Sequence, residues 1–255
     1  MNSNPSVRIG LITDLHFAEN HERFSTSNAK LAEAASAFNV QSVDFAVELG
    51  DLINSGNSFE TELSYLIDIE KTFAQCQAPR HYVFGNHCVE RLTKQQFIEH
   101  TAATAPHYSF DVASFHFIVL DGCYRSDGTP YGGGEHEWED SMIPDDELAW
   151  LASDLATTSS KTIVFTHQRL DDDPPYGLRN AQAVRDALDD SGQVIAVFQG
   201  HAHVNDHNEI NDTHYITLAP AVANPDEGTA FGILDLYDDR SLSLKGHGRQ
   251  NTIQT

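Results

Sequence analysis

Seven side chains able to hold a metal ion occur in five short groups along the chain: Asp14 with His16, Asp51, Asn86, His167, and His201 with His203. Three groups open on a glycine, in Gly50-Asp51, Gly85-Asn86-His87 and Gly200-His201-Ala202-His203. Imidazole nitrogens mixed with carboxylate oxygens suit manganese, iron, zinc or cobalt better than calcium or magnesium. A single Asp-x-His or Gly-Asp fragment is common and carries little weight, and a lone histidine is more often packed or solvated than ligating. The ordered set of five is far more specific. Other hydrolytic routes lack their signatures. There is no Gly-x-Ser-x-Gly elbow for a serine nucleophile, and Gly132-Gly133-Gly134 lacks the Gly-Lys-Ser/Thr of a phosphate-binding loop.

The elements that must position these residues follow from short apolar runs alternating with helical periodicity. Strands are expected at Val7–Thr13, Phe45–Leu49, His81–Phe84, Thr162–Thr166 and Val194–Gln199, and each ligand group lies at the end of one of them. Helices are expected at Asn28–Asn39, Glu60–Gln75, Lys94–Thr101, Asp145–Ala156 and Ala181–Leu188. Strands His107–Asp111 and Phe115–Leu120 have no room between them for a crossover helix and should pair antiparallel. Three further strand candidates occur from Tyr215 onward, and Asp121–Pro144 reads as a long polar loop. The expected organisation is one α/β domain over 1–255 with an inserted loop at 121–144. In open α/β sheets, ligands gather at the carboxyl ends of strands, where all five groups fall.

The ordered set Asp14-Leu15-His16, Gly50-Asp51, Gly85-Asn86-His87, His167 and Gly200-His201-Ala202-His203 resembles the pattern of calcineurin-like metallophosphoesterases. The resemblance spans about Val7 to Ala221 and leans toward the small-molecule phosphodiesterase and manganese-dependent nucleotide diphosphatase branch. It implies a four-layer αββα sandwich of two mixed β-sheets flanked by helices. It also implies two metal ions, one on Asp14, His16 and His203 and the other on Asn86, His167 and His201, bridged by Asp51. Such a pair clamps the attacking and leaving oxygens of an in-line displacement. By the same resemblance Asp51, Asn86 and His87 are the catalytic residues, with His87 facing the phosphate as a proton donor. Two departures stand out. Cys88 replaces the acidic residue that commonly follows the histidine, so His87 needs another acid or acts as a neutral donor. Asn54 stands where many members carry aspartate.

Composition narrows the partner. With 38 acidic against 15 basic residues the formal net charge is −23, which makes long nucleic acid a poor ligand. No apolar run approaches a membrane span, and Met1–Ser6 carries neither a basic segment nor a long apolar one, so a cytoplasmic location is expected. The odd, sparse set Cys76, Cys88 and Cys123 is read as free thiols. Tyr124, Arg125, Tyr131, His136 and Trp138 in the long loop could stack a base and meet a second phosphate, or form an ordinary solvated loop. Phe17 and Phe24 could wall the opposite side, and His207 and His214 could support the ligands from behind. A small-molecule phosphate ester with a diester or diphosphate linkage is the expected substrate. A phosphomonoesterase, or a slow binding member of the same fold, would use the same ligands, and both stay open.

Overall fold

Two mixed six-stranded sheets face one another in a computed structural model that describes residues 4–19, 21–22, 24–224 and 227–255. Met1–Ser3 of the polar N-terminal segment lie outside the described residues. One sheet runs in the order β12 (Ile253–Gln254), β11 (Leu242–Gly248), β10 (Ala230–Leu236), β1 (Val7–Ile12), β2 (Phe45–Glu48) and β3 (Arg80–Tyr82). The other runs β4 (Tyr108–Val112), β5 (Phe115–Val119), β6 (Lys161–Phe165), β7 (Val194–Gln199), β9 (Thr213–Thr217) and β8 (Asp206–Ile210). In the first, β1, β2 and β3 are parallel and β10 to β12 antiparallel; in the second, β5, β6, β7 and β9 are parallel, and β4 and β8 close the edges antiparallel. Helices α1 (Ser27–Gln41), α2 (Phe59–Phe73) and α3 (Lys94–His100) share a core with the first sheet, and α4 (Asp145–Thr157) and α5 (Ala181–Ser191) with the second. This is the expected αββα sandwich.

The period of two along each strand divides the apolar residues among three layers. In β2, Phe45 and Val47 point between the sheets, where they meet Leu11, Phe117, Phe165 and Phe198, while Ala46 points out toward Phe38, Leu66 and Phe73. On the second sheet Ile118, Val164 and Val197 turn outward onto Leu151, Leu155 and Leu188. The inner layer is aromatic, with Phe117 and Phe165 stacked at 6.2 Å. Local chemistry agrees with the packing: Ser58 caps α2, and Thr93 and Gln96 form a reciprocal capping box at α3.

Differences from expectation are small and have physical reasons. β3 stops at Tyr82 rather than Phe84, because the chain turns from it into a 3₁₀ turn at Asn86–Val89. β8 lies outside the expected strands; only Ile210 of Asp206-His207-Asn208-Glu209-Ile210 is apolar, partly buried against the outer core, so the strand has no alternating apolar face to announce it and pairs along the edge of β9. Among the described residues no helix is long and apolar enough to cross a membrane.

One ion-pair cluster fastens α4 to the second sheet. His116 of β5 is buried and places Nδ1 2.7 Å from Asp111 of β4 and Nε2 2.8 Å from Asp154 of α4. Burial opposes the imidazolium charge, but the two carboxylates outweigh it and raise its pKa. The clamp therefore contributes fully below the unfolded histidine pKa and is lost as pH rises through the higher folded value. His116→Gln should lower Tm most near pH 6, by about 2–4 °C for each kcal/mol lost. That difference from wild type should shrink toward pH 9 in paired thermal melts; a gap independent of pH would remove the charge from the account.

Candidate metal centre

The turns that carry the ligand groups are tied to one another by backbone hydrogen bonds continuing past the strand ends. Asp14 N–H donates to Gly50 O at 2.9 Å and His16 N–H to Asp51 O at 2.8 Å, which aligns the β1 and β2 turns. On the second sheet Gly200 N–H donates to His167 O at 3.0 Å. Five of the seven expected ligands, Asp14, His16, Asp51, His201 and His203, have left-handed backbones with φ between 47° and 67°. Non-glycine residues adopt that region at a cost of about 1–3 kcal/mol each, and such strain clusters at functional sites. Gly85 answers a different demand: a Cβ there would collide with the backbone nitrogen and carboxylate of Asp51.

All seven residues converge. His16 Nε2 lies 3.0 Å from His203 Nε2, 3.7 Å from Asp14 Oδ1 and 3.5 Å from Asp51 Oδ2. His203 Nε2 is 3.2 Å from Asp14 Oδ1, and His167 Nε2 is 3.3 Å from Asp51 Oδ2. Three clusters have ligand atoms mutually within 4.8 Å: Asp14/His16/His203, Asp51/His167/His201 and His16/Asp51/His87. Asp51 belongs to two of them and lies between the first pair.

The donor set fits cations. Each aspartate spends one oxygen on the fold, Asp14 Oδ2 accepting from His201 N–H at 3.1 Å and Asp51 Oδ1 from His87 N–H at 2.8 Å. The histidines do likewise with one nitrogen: His167 Nδ1 donates to Leu49 O at 2.8 Å, and His16 Nδ1 to Asn54 Oδ1 at 3.3 Å. That arrangement leaves Nε2 as the lone pair facing inward. Asp14 Oδ1, Asn86 Oδ1, His167 Nε2 and His201 Nε2 are buried with no hydrogen-bond partner among the described residues. Four buried polar atoms without a hydrogen-bond partner on one small volume are costly unless a cation satisfies them.

The electrostatics of the two aspartates and His201 point the same way. Burial opposes the charge on Asp51, but His167, His87 and His16 outweigh it and hold its pKa far down; Asp14 is held down against burial by His16 and His203. Burial, then the neighbouring His167, pushes His201 down to about 3, so its ring is neutral and able to ligate. His167 runs the other way: Asp51 outweighs burial and lifts it to about 9, so a cation would have to displace the proton on its Nε2. Glu48, last in β2, is fully buried, and burial pushes its carboxyl well up; as a neutral acid it adds no third charge.

The surrounding residues separate expectation from outcome. The cavity has a volume of about 290 Å³ and is lined by His16, Asp51, Asn86, His87, Trp138, Tyr176 and the His201–His203 turn. Of the loop residues weighed for such contact, Trp138 reaches it; Tyr176, from an exposed loop without periodicity, joins it unannounced by the sequence. Arg125 does not reach the site: it pairs inside its own loop with Glu135 at 3.3 Å and Asp127 at 3.7 Å. Tyr124 lies under the Lys94 ammonium at 3.4 Å, and Tyr131 is buried and donates to Glu137 O. Phe24 stacks near His16 at 5.9 Å, but Phe17 is a core residue against Tyr65. His207 and His214 bond each other at 3.2 Å on the β8–β9 ribbon and do not line the cavity. All three cysteines are free and buried; Cys88 turns away from His87, its sulfur accepting Leu52 N–H at 3.3 Å.

The profile of the family described as calcineurin-like phosphoesterase matches residues 7–205. The chain belongs to that family. It is thus a metal-dependent phosphoesterase. A curated relative, the manganese-dependent ADP-ribose/CDP-alcohol diphosphatase of Oryza sativa subsp. japonica, is 22% identical over 294 residues, covering 93% of this chain and 90% of the relative. Among solved structures, a dimetal phosphatase from Danio rerio superposes with a TM-score of 0.86 at 20% identity, covering 98% of this chain and 99% of the other. The protein TT1561 of Thermus thermophilus gives 0.63 at 12% identity, with 95% and 98% covered. At these identities the structural likenesses establish the fold.

Asn54 supplies a test of the support around the ligands. Asn54→Ala should weaken divalent-metal affinity by about 10–100-fold, the usual effect of removing a partner that orients a ligating histidine. Competition with a chromophoric chelator measures it; unchanged affinity would show that His16 needs no such partner.

Proposed function

We propose that this phosphoesterase hydrolyses phosphodiester or diphosphate linkages in small molecules carrying a planar group, with manganese the foremost metal. Asp14, His16 and His203 would hold one ion, Asn86, His167 and His201 the other, and Asp51 both. The bound ions would supply Lewis acidity toward the phosphoryl oxygens and a water activated near neutral pH. The chain's own part is to exclude bulk water, place the phosphate beside the ligands and present His87 to the departing oxygen.

The observation that carries the substrate class is the aromatic wall. Trp138 and Tyr176 come from different loops, lie 6.1 Å apart, and each meets the His201 ring at 5.9 Å. A half-exposed aromatic pair beside a cavity of about 290 Å³ suits a base or similar ring joined through phosphate. The cavity's size favours a small molecule over a protein segment. The rice relative, named for ADP-ribose and CDP-alcohols, agrees in kind.

The test is a screen of purified protein, loaded in turn with manganese, iron, zinc and cobalt, against ADP-ribose, a CDP-alcohol, a bis-aryl phosphate and an aryl monophosphate. The diphosphates should have the highest kcat/KM; a lead for the monophosphate would make the enzyme a phosphomonoesterase. Trp138→Ala should raise KM for a nucleoside diphosphate ester by about 5–100-fold, as expected for losing one stacking contact of about 1–3 kcal/mol. It should leave KM for a dialkyl phosphate nearly unchanged. Asp51→Ala should lose both activity and metal, measured by elemental analysis after gel filtration.

A further inference from the structure

The family pattern leaves His87 without its usual acidic partner, since Cys88 turns away and Asn54 serves His16. The structure supplies another. Ser55 Oγ lies 2.7 Å from His87 Nδ1 and also donates a short hydrogen bond to Glu90 Oε2. Glu90 Oε2 is itself 3.7 Å from His87 Nδ1. A carboxylate only accepts, and a serine hydroxyl has one hydrogen. With that hydrogen given to Glu90, Ser55 can only accept from His87, so the ring carries its proton on Nδ1. Nε2 is then the nitrogen free to meet substrate.

We propose that Ser55 and Glu90 are positioning residues that fix the tautomer and aim of His87 through a Glu90–Ser55–His87 relay. This inference rests on the phosphoesterase reading only for its kinetic arm.

The relay is built into the fold. Glu90 lies three residues after His87 across the 3₁₀ turn Asn86–Val89, which puts both on one side of it. Ser55 comes from the turn after β2, well before both in the chain, and a buried carboxylate joins the two segments. Glu62 of α2, with no side-chain exposure, accepts Gly56 N–H at 3.0 Å, Arg91 N–H at 3.0 Å and Leu92 N–H at 3.3 Å. Arg91 returns the link, its Nε donating to Gly56 O at 2.9 Å. The residue after Ser55 and the residue after Glu90 are thus held by the same side chain. From outside, Gly134 N–H donates to Glu90 O at 2.8 Å and Gly133 N–H to Arg91 O at 3.2 Å, so the glycine-rich loop closes over the same corner.

Two measurements test the relay. The first is the side-chain nitrogen NMR of metal-free protein labelled on histidine, at about pH 9, where a surface imidazole is neutral. His87, assigned by its loss in His87→Gln, should show the Nδ1–H tautomer in wild type and move toward Nε2–H in Ser55→Ala. An Nε2–H signal in wild type would overturn the proposal whatever the activity proves to be. The second is a double-mutant cycle on the metal-loaded enzyme. Ser55→Ala and Glu90→Ala should each lower kcat by about 10–100-fold, the scale of a misaimed catalytic group, with metal content and KM near wild type. In a His87→Ala background either should cost almost nothing more, while Ser55→Thr, which keeps the hydroxyl, should restore most of the rate. Equal losses with and without His87, or loss of metal, would reduce both residues to packing. Absence of turnover in wild type on every substrate would instead fail the functional reading and leave the tautomer measurement to decide the relay.

Discussion

Asp14 and Asp51 place two carboxylates in the interior with almost no contact with water, and much of the molecule is arranged around that expense. An unpaired buried charge is strongly destabilising, and Coulomb attraction recovers the loss only where partners are close and well directed. The chain answers by splitting each carboxylate's work. One oxygen takes a backbone N–H from a turn of another strand, and the other faces imidazoles and, by our reading, metal. Neutral Glu48 nearby and the depressed basicity of His201 belong to the same arrangement, since a further fixed charge of either sign would unbalance it.

The left-handed backbones of five of the proposed ligand residues follow from the same need. A strand running into a helix by the easiest turn would carry its first side chains past the site. Holding Asp14, His16, Asp51, His201 and His203 in a disfavoured conformation points them back across the strand ends instead. Hydrogen bonds between the turns maintain that conformation against the relaxation each residue would undergo alone.

Most of this framework was legible from residue order because four of the five candidate ligand groups follow largely buried apolar strands, which are conspicuous; the exception is Gly85-Asn86-His87, behind the half-buried Arg80-His81-Tyr82 of β3. The layers were equally plain: the helices alternate with strands, and β4 and β5 are too close to be anything but a hairpin. Legibility failed where contact depends on turns. Nothing in the order of residues says that Ser55 and Glu90 meet at His87, although the three-residue step from His87 to Glu90 is a helical spacing. Tyr176 sits in a loop with no periodicity, and its place beside Trp138 follows from how two separate loops fold over the site. Arg125 misleads for a related reason: an arginine near aromatics suggests phosphate recognition only if its own loop leaves it without acids, and Glu135 and Asp127 do not. Edge strand β8, with its polar sequence, takes its conformation from its neighbour.

Asp14, His16, Asp51 and Asn86 hang from one sheet, while His167, His201 and His203 hang from the other. The centre therefore spans a seam. Its spacing is set by how the two sheets seat on one another, through Phe45, Phe117, Phe165 and Phe198, far from any ligand. A slide of a few tenths of an ångström along that seam would change every distance between the halves and none within them. Cations bound there would act as a rivet, so that repacking of the aromatic layer would first be felt as a change in metal occupancy.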